Sequence, residues 1–376
     1  MCKLYLRQAI ISAMTHMSSK ELIKMQIKRI EKEMRDTPLH KGTEHHLGRL
    51  RAKLSKLKEK ELESDSKKGG GGGGYAVKKQ GDATVVLVGP PSVGKSTLIN
   101  KLTNAKSKVA PYAFTTVTVV PGMMDYKDAK IQILDVPGLI EGAEKGKGRG
   151  KEVLSVIRGS DLLIIISDVK NKSAHKTMTK TLEQNGIRIN QEKPKISIRK
   201  MIKGGIQIIS NIEQPFSDET VKEISKEYRI PNAEVTIKEK LSLDQLIDSF
   251  SKNRVYVQGL YVLNKSDLSN QSNKSNSKTL LISAEEGTNL ETLQKLIWKK
   301  LGLIRVYLVR PDEKPSKNNP IIMKKGQTLT HLMKTIGEEF AEGKDEAKIW
   351  GTGSKFPGQT VSLLKKLQDG MQIRFV

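Results

Sequence analysis

The chain holds a single cysteine, Cys2, in 376 residues, so it can form neither an intramolecular disulfide nor a cysteine-based zinc site. That lack fits a reducing cytoplasm. Long apolar runs are missing too. The longest, such as Leu162 to Ile166, fall far below the roughly 20 residues of a membrane span, so a soluble, cytoplasmic protein without a membrane partner is expected. Leu4 to Met14 is broken by Arg7 and Gln8 and has no small-residue cleavage site, so it does not read as a signal peptide. The six histidines show no metal spacing. Acidic residues are in deficit, 41 against 66 Lys and Arg, for a net charge of +25. Such a surplus suits a polyanionic partner, nucleic acid first and acidic lipid second, and says nothing about fold.

At about 100–200 residues per domain the length allows two or three domains. Residues 1–17 read as an N-terminal extension, with Met14 and Met17 as alternative starts. Ser18 and Glu21 have capping-box spacing. Ile23, Ile27, Ile30 and Met34 then recur on one helical face, and Leu47, Leu50, Leu54 and Leu57 resume the pattern after Pro38 and Gly42. The spacing predicts a basic helical hairpin within 18–68. Its stripes pack on each other or on the next domain; the alternative is an arm that contacts a partner or RNA. Residues 69–80, with the run Gly69 to Gly74, read as a flexible linker.

From Ala83 the texture changes to continuous apolar strands of the buried parallel type. These are Thr84 to Val88, Ile131 to Leu134, Leu162 to Ile166, Tyr261 to Leu263 and Leu280 to Ile282. Helical segments such as Lys95 to Leu102 and Leu290 to Leu301 intervene, which predicts a doubly wound α/β domain over 81–169 and 256–301. The interval between is too long for one crossover and has its own strand-like and helix-like runs, so 170–255 reads as an inserted α+β subdomain. Residues 302–376, with a strand at each end and a helix at Leu329 to Ile336, suit a small ubiquitin-like β-grasp module.

Gly89-Pro90-Pro91-Ser92-Val93-Gly94-Lys95-Ser96, followed by Thr97, is G-x-x-x-x-G-K-S between a strand and a helix, the setting a P-loop requires. The glycines let backbone N–H groups curl inward on phosphate oxygens at a helix N-terminus. Lys95 reaches the β- and γ-phosphates, and the Ser96 hydroxyl binds Mg²⁺. Asp135-Val136-Pro137-Gly138 supplies D-x-x-G: Asp135 holds Mg²⁺ through water, and the Gly138 N–H touches the γ-phosphate. Asn264-Lys265-Ser266-Asp267 supplies N-K-x-D. The Asp267 carboxylate accepts from guanine N1–H and N2–H₂, which adenine cannot offer, so ATP is disfavoured. Asn264 ties this loop to the P-loop, and the Lys265 stem covers the base. Ser283-Ala284-Glu285 reads as a base-edge loop donating backbone N–H to the guanine oxygen. In Tyr112-Ala113-Phe114-Thr115-Thr116 a switch threonine completes the Mg²⁺ shell, Thr116 in preference to Thr115. Leu139 to Gly150 is glycine-dense beside the γ-phosphate, which suits a segment that orders with GTP.

Together, Gly89 to Ser96, Phe114-Thr115-Thr116, Asp135 to Ala143 and Asn264 to Asp267 resemble the Obg superfamily of P-loop GTPases. The hairpin, glycine run, insert and end module narrow the resemblance to the developmentally regulated GTP-binding proteins. The resemblance implies a GTPase hydrolysing GTP to GDP as a switch on ribosomes or RNA in translation. It implies an insert folded like a domain of a small-subunit ribosomal protein, a C-terminal TGS domain and, for eukaryotic members, a dedicated protein partner. Lys95, Thr116 and Gly138 are the catalytic candidates; Ser96, Thr116 and Asp135 are the Mg²⁺ candidates. A monomer is expected. Leu139 stands where Ras-like enzymes place a water-orienting glutamine, so intrinsic turnover should be slow or use another group. An RNA-binding scaffold with little turnover is the alternative. Ser92 replaces the asparagine through which some relatives recruit K⁺, so potassium activation stays open.

The charge surplus lies mainly outside the nucleotide motifs. Residues 81–169 carry 11 basic and 9 acidic side chains, residues 1–68 carry 17 and 9, residues 170–255 carry 17 and 11, and residues 302–376 carry 13 and 8.

Overall fold

A computed structural model describes residues 19–38, 40, 42–64, 80–103, 110–111, 118–136, 149–171, 173–251, 253–268, 279–337 and 343–376. The chain divides into two compact units, Met1–Gly74 with Thr179–Tyr256, and Tyr75–Met178 with Val257–Val376.

The second unit is built on a mostly parallel sheet. Its strands are β1 (Ala83–Val88), β2 (Ala110–Pro111), β3 (Thr118–Tyr126), β4 (Ala129–Asp135), β5 (Leu162–Asp168), β10 (Val255–Asn264) and β11 (Thr279–Leu281), in the order β11-β10-β5-β1-β4-β3-β2. β1 is parallel to β4 and β5, and β10 to β5 and β11; β3 runs antiparallel to β4. Every residue of β1 is buried, as an interior strand with helices on both faces requires. Helices α3 (Lys95–Leu102) and α8 (Leu290–Leu301) cover one face, where Leu98, Ile99, Leu293 and Ile297 meet Val85, Leu87, Ile131, Ile164 and Val262. Helix α4 (Arg149–Gly159) takes in the last two residues of the glycine-dense 139–150 stretch, so that stretch ends as helix rather than loop.

The sequence reading missed β3, because Pro121-Gly122 looks like a turn. The glycine has a packing cause instead: a Cβ on Gly122 would lie 2.7 Å from the side chains of Ile99 and Thr103, where α3 presses on the strand.

Gly302, with φ of 63°, turns the chain from α8 into β12 (Leu303–Leu308). β12, β13 (Pro320–Lys324), β14 (Glu346–Gly351), β15 (Gln359–Ser362) and β16 (Met371–Phe375) form a mixed sheet ordered β13-β12-β16-β14-β15. The first and last strands, β12 and β16, run parallel at its centre, the β-grasp arrangement. Helix α9 (Leu329–Ile336) closes the core through Leu329, Leu332 and Met333. Lys324 pairs with Asp161 at 2.8 Å, and Asp161 also accepts from the backbone of Thr84 at 3.0 Å, tying β13 to the start of β1.

The first unit joins the N-terminal helices to the insert. α1 (Ser19–Asp36) and α2 (Glu44–Ser64) share a core of Ile27, Ile30, Leu50 and Leu57, with Ile23, Met34 and Leu54 against it. α5 (Ala174–Gln184) leads into the insert, which comprises β6 (Ile187–Ile189), β7 (Ile196–Lys200), β8 (Ile206–Ser210), α6 (Asp218–Glu227), β9 (Ala233–Ile237) and α7 (Leu243–Phe250). β9 is central, antiparallel to β7 and parallel to β8. α2 presents a second, small-residue face here. Gly48 approaches Thr220 so closely that a Cβ would lie 2.8 Å from its methyl, and Ala52 is fully buried in the insert core.

Candidate nucleotide site

The parallel strands end on one edge of the sheet, and each is followed by a motif, the usual place for ligands in open α/β sheets. Register puts Leu87 beside Asp135 and Asn264 beside Asp168, so the P-loop, D-x-x-G and N-K-x-D start side by side.

Gly89 to Ser96 curls from β1 into α3. Gly94 has φ of 90° and abuts the Asn264 amide; Gly89 abuts the Ile166 carbonyl, so neither position has room for a side chain. Ser92 also takes a left-handed φ, 58°. Lys95 is buried, and its Nζ donates to the carbonyls of Gly89 at 3.2 Å and Pro90 at 2.9 Å. Burial lowers the Lys95 pKa, with the Asp135 charge opposing. Asp135 is 7% exposed. Its Oδ2 accepts from the Ser96 hydroxyl at 3.2 Å, and its Oδ1 has no hydrogen-bond partner. Burial raises the Asp135 pKa, against the pull of Lys95 and Ser96. An orphaned carboxylate oxygen beside a serine hydroxyl is the donor set a hard dication such as Mg²⁺ takes. Lys95 and a helix N-terminus offer positive charge to phosphate. Thr97 follows in the first turn of α3, and Val136 is buried after β4.

Asn264, 2% exposed, holds three loops together. Its Nδ2 donates to the Val93 carbonyl at 2.9 Å, and its Oδ1 accepts from the Ala284 N–H at 2.9 Å. Lys265 Nζ donates to the Ser92 carbonyl at 2.8 Å. Asp267 is exposed, and its Oδ1 accepts from the Ser283 hydroxyl at 2.6 Å. The sequence reading gave 283–285 only backbone roles; the Ser283 side chain, wholly buried, is the residue it missed. Serine after an apolar strand has no signal of its own; its role shows only when β11 is set beside β10. Glu285 is exposed at the turn. Phe114, Thr115, Thr116, Pro137 and Gly138, with 139–148, lie outside the described residues. Among the described residues no helix is long and apolar enough to cross a membrane.

Residues 84–201 match the family model described as "50S ribosome-binding GTPase", and residues 203–303 match the model of the C-terminal region of that domain. An uncharacterised GTP-binding protein of Methanocaldococcus jannaschii is 46% identical over 93% of this chain and 91% of its own. Developmentally-regulated GTP-binding protein 2 of Homo sapiens is 39% identical over 93% of this chain and 98% of its own. The solved Schizosaccharomyces pombe YchF GTPase superposes with a TM-score of 0.46 and 15% identity, over 80% of this chain and 99% of that one.

Proposed function

The chain belongs to the family of developmentally regulated GTP-binding proteins, and we propose that it hydrolyses GTP to GDP and phosphate as a Mg²⁺-dependent switch on ribosomes or RNA in translation. The observation that carries the reading is the pair of buried, under-satisfied charges, Lys95 and Asp135, at the mouth of the P-loop. Burying such groups is costly unless a charged ligand completes them.

In this reading the N–H groups of 89–96 cradle the phosphates, and Lys95 leaves the Gly89 and Pro90 carbonyls to hold the β- and γ-phosphates. Ser96, Thr116 and Asp135 hold Mg²⁺, which when bound offsets charge on the phosphate oxygens. Gly138 N–H takes the γ-phosphate. Asp267, steadied by Ser283, reads the guanine edge. The Ala284 N–H, now given to Asn264, or that of Glu285 meets the guanine oxygen. Leu139 cannot polarise water, so turnover rises only when a partner or another group orients the nucleophile. That residue also favours the second reading, a scaffold that binds GTP and turns it over little.

The ribosome is supported by the description of the matching family model and by the basic surplus outside 81–169. The β-grasp sheet with its central parallel pair supports the TGS assignment of 302–376. Lys324 is engaged with Asp161, which leaves Lys325, Lys365 and Lys366 for docking. A dedicated protein partner, a monomeric state and a cytoplasmic location complete the reading.

Co-sedimentation with ribosomes in the GTP, GDP and nucleotide-free states, with turnover measured with and without ribosomes, tests it. Ribosome binding that changes with the nucleotide and turnover that rises on ribosomes are expected. Binding indifferent to nucleotide, with no turnover in either case, would favour the scaffold. Deleting 303–376 should weaken co-sedimentation and leave GTP affinity nearly unchanged.

A further inference from the structure

We infer that the outward face of α1 is a docking surface for the phosphate backbone of structured RNA, an inference that rests on the RNA-directed reading above.

The inward face of α1 is spent on packing: Ile23, Ile27, Ile30 and Met34 lie against Leu50, Leu54 and Leu57 of α2. The acids on its flanks are spent as well. Glu31 pairs with Lys58 at 3.3 Å and Glu33 with His46 at 3.2 Å. What remains outward is cationic. Lys24, Lys28, Arg29, Lys32 and Arg35 are all exposed, and none has a hydrogen bond or ion pair among the described residues. Glu21 and Asp36 stand at the two ends of the helix, so the outward face from Lys24 to Arg35 carries no unpaired carboxylate.

The geometry suits a charged strand. Lys24, Lys28 and Lys32 form one i, i+4 row, with about 6 Å of rise between neighbours at 1.5 Å per residue. That step is comparable to the separation of successive phosphates along one strand. From Lys24 to Arg35 the face extends about 16 Å.

This chain has no segment suited to cover it. Residues 1–18 contain Lys3 and Arg7 and no Asp or Glu, so the countercharge must come from a partner. The face also argues against other polyanions. Helices that lie on lipid bury a broad apolar face, and protein interfaces centre on apolar or aromatic anchors. Here Met25 is the one large apolar side chain exposed on α1 among the described residues. Phosphate contacts need only cations.

The test uses the full chain, a labelled RNA hairpin and intact ribosomes. Lys24→Gln, Lys28→Gln, Arg29→Gln, Lys32→Gln and Arg35→Gln are combined in one variant. Each lost phosphate contact takes about 0.7–0.9 from the slope of log affinity on log salt, so the slope should fall by about 3–4. RNA affinity at about 100 mM salt should drop at least tenfold, with GTP affinity and the unfolding midpoint unchanged. A charge-keeping variant, Lys24→Arg with Lys28→Arg and Lys32→Arg, should retain slope and affinity. If the wild type binds RNA and the glutamine variant binds it with the same affinity and slope, the face is not the docking surface, while the RNA-directed reading stands. If the wild type binds neither RNA nor ribosomes at low salt, both fall. A loss seen only on phosphatidylserine vesicles would give the face to membranes and overturn the assignment to RNA.

Discussion

Both units bury charged side chains, and they treat them oppositely. In the unit that holds the insert, Asp248 is 6% exposed and lies between two arginines. Arg188 bonds both of its oxygens, at 2.6 and 2.8 Å, and Arg254 bonds Oδ1 at 2.6 Å. Arg254 continues to Glu59 of α2 at 3.1 Å and to Ser55. Charges balance and both carboxylate oxygens are used. At the nucleotide site Lys95 has only carbonyls to hold, and Asp135 leaves an oxygen unpartnered. A complete set of buried charges fixes structure, joining α2 to the insert; an incomplete set awaits a ligand.

Mutation should separate the two. The largest effect belongs to Lys95→Ala: single-turnover GTP hydrolysis should fall at least about 100-fold, the usual loss on removing a preorganised donor, with the fold intact by circular dichroism. Next, Asp248→Ala leaves two buried guanidinium groups without their carboxylate and should destabilise its unit by about 3–5 kcal/mol in denaturant unfolding. Asp135→Asn removes a charge that burial already disfavours, so ligand-free stability should hold or rise while the Mg²⁺ effect on GTP binding disappears. Equal destabilisation by Asp248→Ala and Asp135→Asn would erase the distinction.

Smaller effects sharpen the nucleotide site. Asp267→Asn places a donor against guanine N1–H and should weaken GTP at least tenfold, about 1.4 kcal/mol, while improving relative binding of xanthosine nucleotides in calorimetric titration. Ser283→Ala leaves the carboxylate but frees it, and should cost about 1 kcal/mol of GTP affinity. The smallest effect is in pH. The raised pKa of Asp135 means the folded carboxyl keeps its proton above the ordinary 3.8. Its contribution to stability is therefore full below 3.8 and is lost as pH rises through the folded value. Mg²⁺ needs the ionised form, so the gain in GTP affinity from Mg²⁺ runs the other way and fades as pH falls through that value. Asp135→Asn should flatten both curves.

Much of this site is legible from sequence because each motif is local. Gly94 and Gly89 stand where no Cβ fits, and Lys95, Asp135 and Asn264 follow apolar strands that any pattern reading finds. What was not legible depends on residues far apart in the chain. Ser283 meets Asp267 only once β11 is set parallel to β10. The second face of α2, at Gly48, Ala52, Ser55 and Glu59, is small or polar and carries no hydrophobic stripe, so its union with the insert is silent in the pattern. β3 was hidden by Pro121 and Gly122, which serve an antiparallel strand under a helix rather than a turn.

Titration of the full chain with GTP and with ATP, with and without Mg²⁺, tests the central claim most directly. The account predicts GTP bound tighter than ATP by at least about 100-fold, because a site built around a guanine-directed acceptor leaves that acceptor unpaired with adenine. It also predicts that Mg²⁺ tightens GTP and that Asp135→Asn abolishes this gain. Equal affinity for the two nucleotides, or GTP binding indifferent to Mg²⁺, would contradict it.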